Sequence, residues 1–181
     1  MEKRVVVSQQ SKGLSIRDIF LIGILLAAGA VLRFFVGSVV NFGMKPNFVI
    51  AMYCLIIVLI KPGLVESAII GLLSGAICQF FPGQPYINFV SELVGAVVMC
   101  LLIKIPFERI KIPVKIIVCT FLSTLASGFT FVGIMYFMYY SGFNVTPTPL
   151  AIFLGIIFGT ATINAVIVQI LYIPLKLALK V

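Results

Sequence analysis

The chain has 181 residues, of which 62% are hydrophobic and only 10% charged, with a formal net charge of +8. That composition, in apolar runs far longer than core strands, excludes a water-soluble domain and leaves an all-α, polytopic membrane protein. A span needs about 20 apolar residues, so about six spans with short loops use up the chain and leave no room for a second, soluble domain.

The first 17 residues are polar and charged and lack an apolar core. They read as a cytoplasmic tail of a single membrane domain covering 1–181, and not as a signal peptide. Six spans follow, near 19–40, 48–60, 64–81, 88–105, 114–140 and 149–177. Lys3, Arg4, Lys12 and Arg17 lie in the tail and Lys61 between spans 2 and 3. Lys104, Arg109, Lys111 and Lys115 lie between spans 4 and 5, and Lys176 and Lys180 close the chain. The other loops carry only Arg33 and Lys45. This alternation predicts six transmembrane helices with both termini in the cytoplasm, and it accounts for the basic charge without nucleic acid. It places the loops at 43–47, 82–88 and 141–149 outside.

In chain order, span 1 carries Gly23 and Ala27, a small-xxx-small pair, followed by Ala30, with Arg33 near its outer end. Span 3 carries Ser67, Gly71, Gly75 and Gln79 at every fourth position. Such stripes let helices approach closely in lipid; in span 3 the expected contact is within the chain, while in span 1 it is open between this chain and a partner. The four cysteines, Cys54, Cys78, Cys100 and Cys119, stand singly in apolar segments without metal-site spacing. They read as small membrane residues, neither a disulfide framework nor a metal site. Neither cofactor nor metal is expected.

The stretch at 82–96 stands apart. A loop broken by Pro82, Gly83 and Pro85 leads into a helix on which Asn88, Ser91, Glu92 and Gly95 share one face. An ionisable group inside a span is costly and faces a protein interior or a cavity, so this face reads as one wall of a binding pocket. Glu92 would lie about one turn below the outer surface. Thr160 and Asn164 are one turn apart in span 6, and Ser123, Ser127 and Thr130 line one face of span 5.

The combination of six short spans, the small-residue stripe of span 1 and a basic cytoplasmic face resembles the S components of energy-coupling factor (ECF) transporters. The more specific similarity is to the tryptophan-type (TrpP) S component. It rests on Ala28-Gly29-Ala30 with Leu32, on Gly43-Met44-Lys45-Pro46-Asn47, on Pro82-Gly83-Gln84 with Asn88, and on Asn164 with Tyr172-Ile173-Pro174. Where an acidic-basic pair is expected just after Asn88, this chain has Ser91-Glu92.

The resemblance implies a membrane subunit that captures a nutrient from outside, tryptophan first and another small heteroaromatic, vitamin-like nutrient second. It would dock on a transmembrane coupling subunit and two cytoplasmic ATPases through Gly23, Ala27 and Ala30. An amino-acid zwitterion needs an acceptor for its ammonium and a cation or N–H donors for its carboxylate. Glu92 could supply the first and Lys45 or Arg33 the second. Asn88, Gln79 and Asn164 could bond polar edges, and Tyr86 belongs to an aromatic set with Phe80, Phe81, Phe89, Tyr139 and Tyr140. Each has a plainer role: Glu92 could simply pair with Arg33, Lys45 could snorkel to the interface, Asn164 could join two helices, and the aromatics could form a membrane belt.

Other classes fit less well. There is no G-x-x-x-x-G-K-[ST] loop, so ATP energy would have to come from partners. Without histidine and with five carboxylates, a catalytic centre is hard to build. No repeat relates the two halves, as a stand-alone secondary transporter would lead one to expect. A purely structural protein would leave Glu92 with packing alone.

Overall fold

The structure, a computed structural model, describes residues 13–39, 46–82, 86–106 and 112–179. Within them the chain forms six helices: α1 (Ile16–Val39), α2 (Val49–Ile60), α3 (Leu64–Cys78), α4 (Ile87–Lys104), α5 (Ile112–Tyr140) and α6 (Leu150–Leu179). The polytopic helical architecture is as the sequence predicts. α1, α4, α5 and α6 are long and apolar enough to cross a membrane. α1 begins three residues before the expected span because Ser15 and Asp18 form a reciprocal cap. The Ser15 N–H donates to Asp18 Oδ2 at 2.9 Å and the Asp18 N–H donates to Ser15 Oγ at 3.2 Å. This is the capping-box arrangement that satisfies orphan donors of a first turn.

The short helix α2 is the axis of the bundle. Its 12 residues span about 18 Å, less than the hydrocarbon thickness of a bilayer. It needs no lipid-facing length, because every residue from Val49 to Leu59 is buried. A helix apolar on all sides belongs in an interior, and α2 touches each of the other five. They follow one another around it as α1, α3, α4, α5 and α6.

Glycines set the closest approaches. A Cβ on Gly71 would lie 2.7 Å from the Glu92 carbonyl oxygen, and one on Gly75 would lie 2.8 Å from Phe89 Cα. The span 3 stripe therefore seats α3 directly on the α4 backbone, a contact within the chain. Gly29 does the same for α1 on α2, where a Cβ would meet Met52 Cγ at 2.8 Å. Gly23 faces open space and Ala27 is exposed, while Ala30 is half-buried.

At the end predicted to be cytoplasmic, charged side chains bond to helix-end carbonyls. Lys115 Nζ donates to the carbonyls of Ile103 and Ile105 at 2.7 and 2.8 Å, closing the end of α4. Arg17 donates to the Leu179 carbonyl, tying α1 to the end of α6.

Candidate functional site

The site is built around Asn47, the residue before the turn that starts α2. Its Oδ1 accepts the Val49 N–H at 3.2 Å, satisfying one orphan donor of the first turn. That bond fixes which way the amide points, so Nδ2 faces the interior. There it donates to Glu92 Oε1 at 2.6 Å. Ser127 Oγ, from α5, donates to Glu92 Oε2 at 3.2 Å. The Glu92 side chain is 2% exposed. The helix face read from spacing is buried throughout: Asn88, Ser91, Glu92 and Gly95 all face inward.

Arg33, on α1, is also buried. Its Nη1 lies 2.6 Å from Cys78 Sγ and its guanidinium carbon 5.0 Å from the centre of the Phe81 ring. Its Nε has no hydrogen-bond partner among the described residues. Arg33 and Glu92 do not form a direct ion pair. Asn47 and Cys78 stand between them, with Asn47 Nδ2 3.5 Å from Cys78 Sγ. A buried carboxylate and a buried guanidinium are thus held apart, each with neutral partners among the described residues. Such charges are stable in a low-dielectric interior only when paired or richly hydrogen-bonded. The arrangement suits a molecule that brings both an ammonium and a carboxylate.

The far wall comes from α5 and α6. Asn164 Nδ2 donates to the Asn47 carbonyl at 3.2 Å and approaches Thr124 Oγ1 at 3.5 Å. Ser123 Oγ donates to the Gly95 carbonyl at 2.8 Å, pinning α5 to α4. The Tyr53 ring from α2 is fully buried, and its hydroxyl packs against Gly95, where any Cβ would collide with it.

The other sequence candidates lie elsewhere. Gln79 spans the outer end of α3: its Nε2 donates to the Gly75 carbonyl at 2.8 Å and its Oε1 accepts the Tyr86 N–H at 3.1 Å. It holds the entry to α4 rather than the interior cluster. Tyr86 is 77% exposed, at φ 63 and ψ −39, a backbone region that a bulky residue rarely adopts. Phe80 and Tyr140 are exposed as well. Lys45 lies outside the described residues. Gly23 and Ala27 face outward on α1. Sequence reasoning named Glu92, Asn88, Asn164 and Arg33 but gave no role to Asn47, Tyr53 or Cys78. The only signal for Asn47 was its place at the end of the Gly-Met-Lys-Pro-Asn motif. Among the described residues no group of three or more His, Cys, Asp or Glu is gathered as a metal site would require.

Comparison with known proteins gives this geometry a context. No solved structure matches the chain. A curated relative from Clostridium acetobutylicum, described as a "Probable tryptophan transport protein", is 26% identical over 175 residues, covering 93% of this chain and 96% of the relative. The family described as tryptophan transporter TrpP matches residues 15–180, nearly the whole chain. The protein is therefore a multi-pass membrane protein that belongs to the TrpP tryptophan transporter family.

Proposed function

We propose that this chain is the substrate-binding S component of an ECF-type importer for tryptophan. The whole chain acts as one six-helix membrane domain with its N-terminal 17 residues in the cytoplasm. Glu92 receives the substrate ammonium and Arg33 or Lys45 its carboxylate, with Asn88 and Asn164 on polar edges. The observation that carries this reading is the Glu92–Asn47–Cys78–Arg33 chain, in which two buried opposite charges are kept from neutralising one another. An α-amino acid supplies both missing counter-charges at once. Family membership supports tryptophan as that amino acid.

The chain delivers substrate by docking on a transmembrane coupling subunit that works with two cytoplasmic ATPases. Outward-facing Gly23 and Ala27, with Ala30 beside them, form the docking strip. Support comes from the exposure of Gly23 and Ala27: Gly23 has nothing within 4 Å of a would-be Cβ, unlike Gly29 one and a half turns later.

Uptake of labelled L-tryptophan by cells lacking their own tryptophan importers tests the reading. The chain is expressed alone, with a coupling module, or with a module whose ATPases are inactivated. Accumulation only with the intact module is expected, and Gly23→Leu should lower that uptake without changing tryptophan binding. Equal ion-driven uptake by the chain alone would contradict it and favour a stand-alone secondary transporter.

A further inference from the structure

Several buried polar atoms have no hydrogen-bond partner among the described residues, and they are not equivalent. The Tyr53, Thr120 and Thr160 oxygens belong to hydroxyls, which rotate and can donate as well as accept. Asn164 Oδ1 and Gln169 Oε1 can only accept. Gln169 is only partly buried and lies more than a turn further toward the predicted cytoplasmic end. Asn164 is 0% exposed. Its amide cannot resolve the deficit by flipping. Nδ2 already serves the Asn47 carbonyl and Thr124 Oγ1, and a flip would set one carbonyl oxygen against another. Buried acceptors of this kind are rare, because leaving one unmet carries a desolvation penalty.

The unmet acceptor sits one residue away from Glu92. Asn47 donates from its side chain to Glu92 and accepts from Asn164 at its own backbone carbonyl. One residue is also the scale of an amino-acid ligand. Thr160, one turn outward on the same face of α6, is buried with its hydroxyl unpartnered too. α6 thus presents a strip of unmet polarity beside the charged pair.

We infer that Asn164 Oδ1 is the acceptor for the indole N–H, and so the residue by which the site tells tryptophan from aromatic amino acids that lack a ring donor. This rests on the proposed placement of the substrate ammonium at Glu92. The ring would lie with its one polar edge toward Asn164. A ligand with no ring N–H would leave Oδ1 buried and unmet, and sites that depend on such a bond reject the analogue lacking it.

The test compares L-tryptophan with 3-benzothienyl-L-alanine, in which sulfur replaces the indole N–H at nearly the same shape, using purified full-length protein. Binding of each is measured by calorimetry. The unmodified protein should prefer tryptophan by roughly 10- to 100-fold. Asn164→Leu should bring the two affinities together and so remove the preference, because only tryptophan loses a bond to Oδ1. Asn164→Ala serves the same purpose if the larger side chain prevents folding. Equal binding of both ligands by the unmodified protein would overturn the inference while leaving the tryptophan reading intact. A preference that survives in the folded Asn164 variants would assign the acceptor elsewhere and also overturn it. Binding of neither ligand by folded protein would remove the underlying reading, and this inference with it.

Discussion

The two ends of this bundle treat charge in opposite ways. At the end predicted to be cytoplasmic, Lys115 and Arg17 reach carbonyl oxygens at helix termini, groups that no helix can satisfy internally. Those bonds finish the fold. In the outer half, Glu92 and Arg33 lie on helix interiors, buried, with amide, hydroxyl, thiol and aromatic partners. Among the described residues those contacts leave the charges incompletely compensated. The same helices α1 and α4 pass through both regions, so the difference is not one of scaffold. It marks where the chain spends stability on something other than folding.

Substitutions at the two ends should therefore separate binding from stability. The largest effect is expected for Glu92→Gln. Losing the charge proposed to meet the ligand ammonium should weaken tryptophan binding by about 3 kcal/mol or more, over 100-fold. Thermal stability should hold or rise, because a buried charge has been removed. A large fall in melting temperature with little change in affinity would reverse the comparison and make Glu92 a structural residue.

Gly75→Val sharpens the contrast from the other side. Its added carbons would press on the Asn88 and Phe89 backbone, and overpacking of this kind costs about 1–3 kcal/mol. A lower melting temperature in detergent, together with weaker binding because α4 shifts, is the expected pair. Asn47→Ala should cost about 2 kcal/mol in stability, from the lost bonds to the Val49 N–H and to Glu92. It should also weaken binding, because Asn47 belongs to both the fold and the site. Lys115→Met should do least, about 1 kcal/mol in stability through the unclosed end of α4, with affinity unchanged. A loss of affinity there would mean that the two ends are coupled in the resting protein.

How much of this was legible in the sequence follows the same division. A face on one helix can be read from spacing, and the Asn88, Ser91, Glu92 and Gly95 set is buried together as its period implies. The span 3 stripe likewise announced a close helix contact. What spacing cannot give is the partner across the interior. Asn47 reaches Glu92 over 45 positions and Ser127 reaches it over 35, relations set only when α2 and α5 dock on α4. Tyr86 and Gln79 lie next to the right helix but serve its entry, which their residue types alone could not reveal. The central place of α2 was half visible: its 12 residues carry no polar face, yet only the packed bundle shows all five neighbours around it.

The central claim, that Glu92 anchors tryptophan in a buried outer site, has a direct test because the chain itself contains no tryptophan. Purified protein, freed of carried-over ligand, is titrated with L-tryptophan while indole emission is followed, beside the Glu92→Gln variant. A saturable change in emission that weakens by over 100-fold in the variant is the predicted result. Saturable binding equal in the two proteins would contradict the anchor, and no binding by folded, unmodified protein would contradict tryptophan as the ligand.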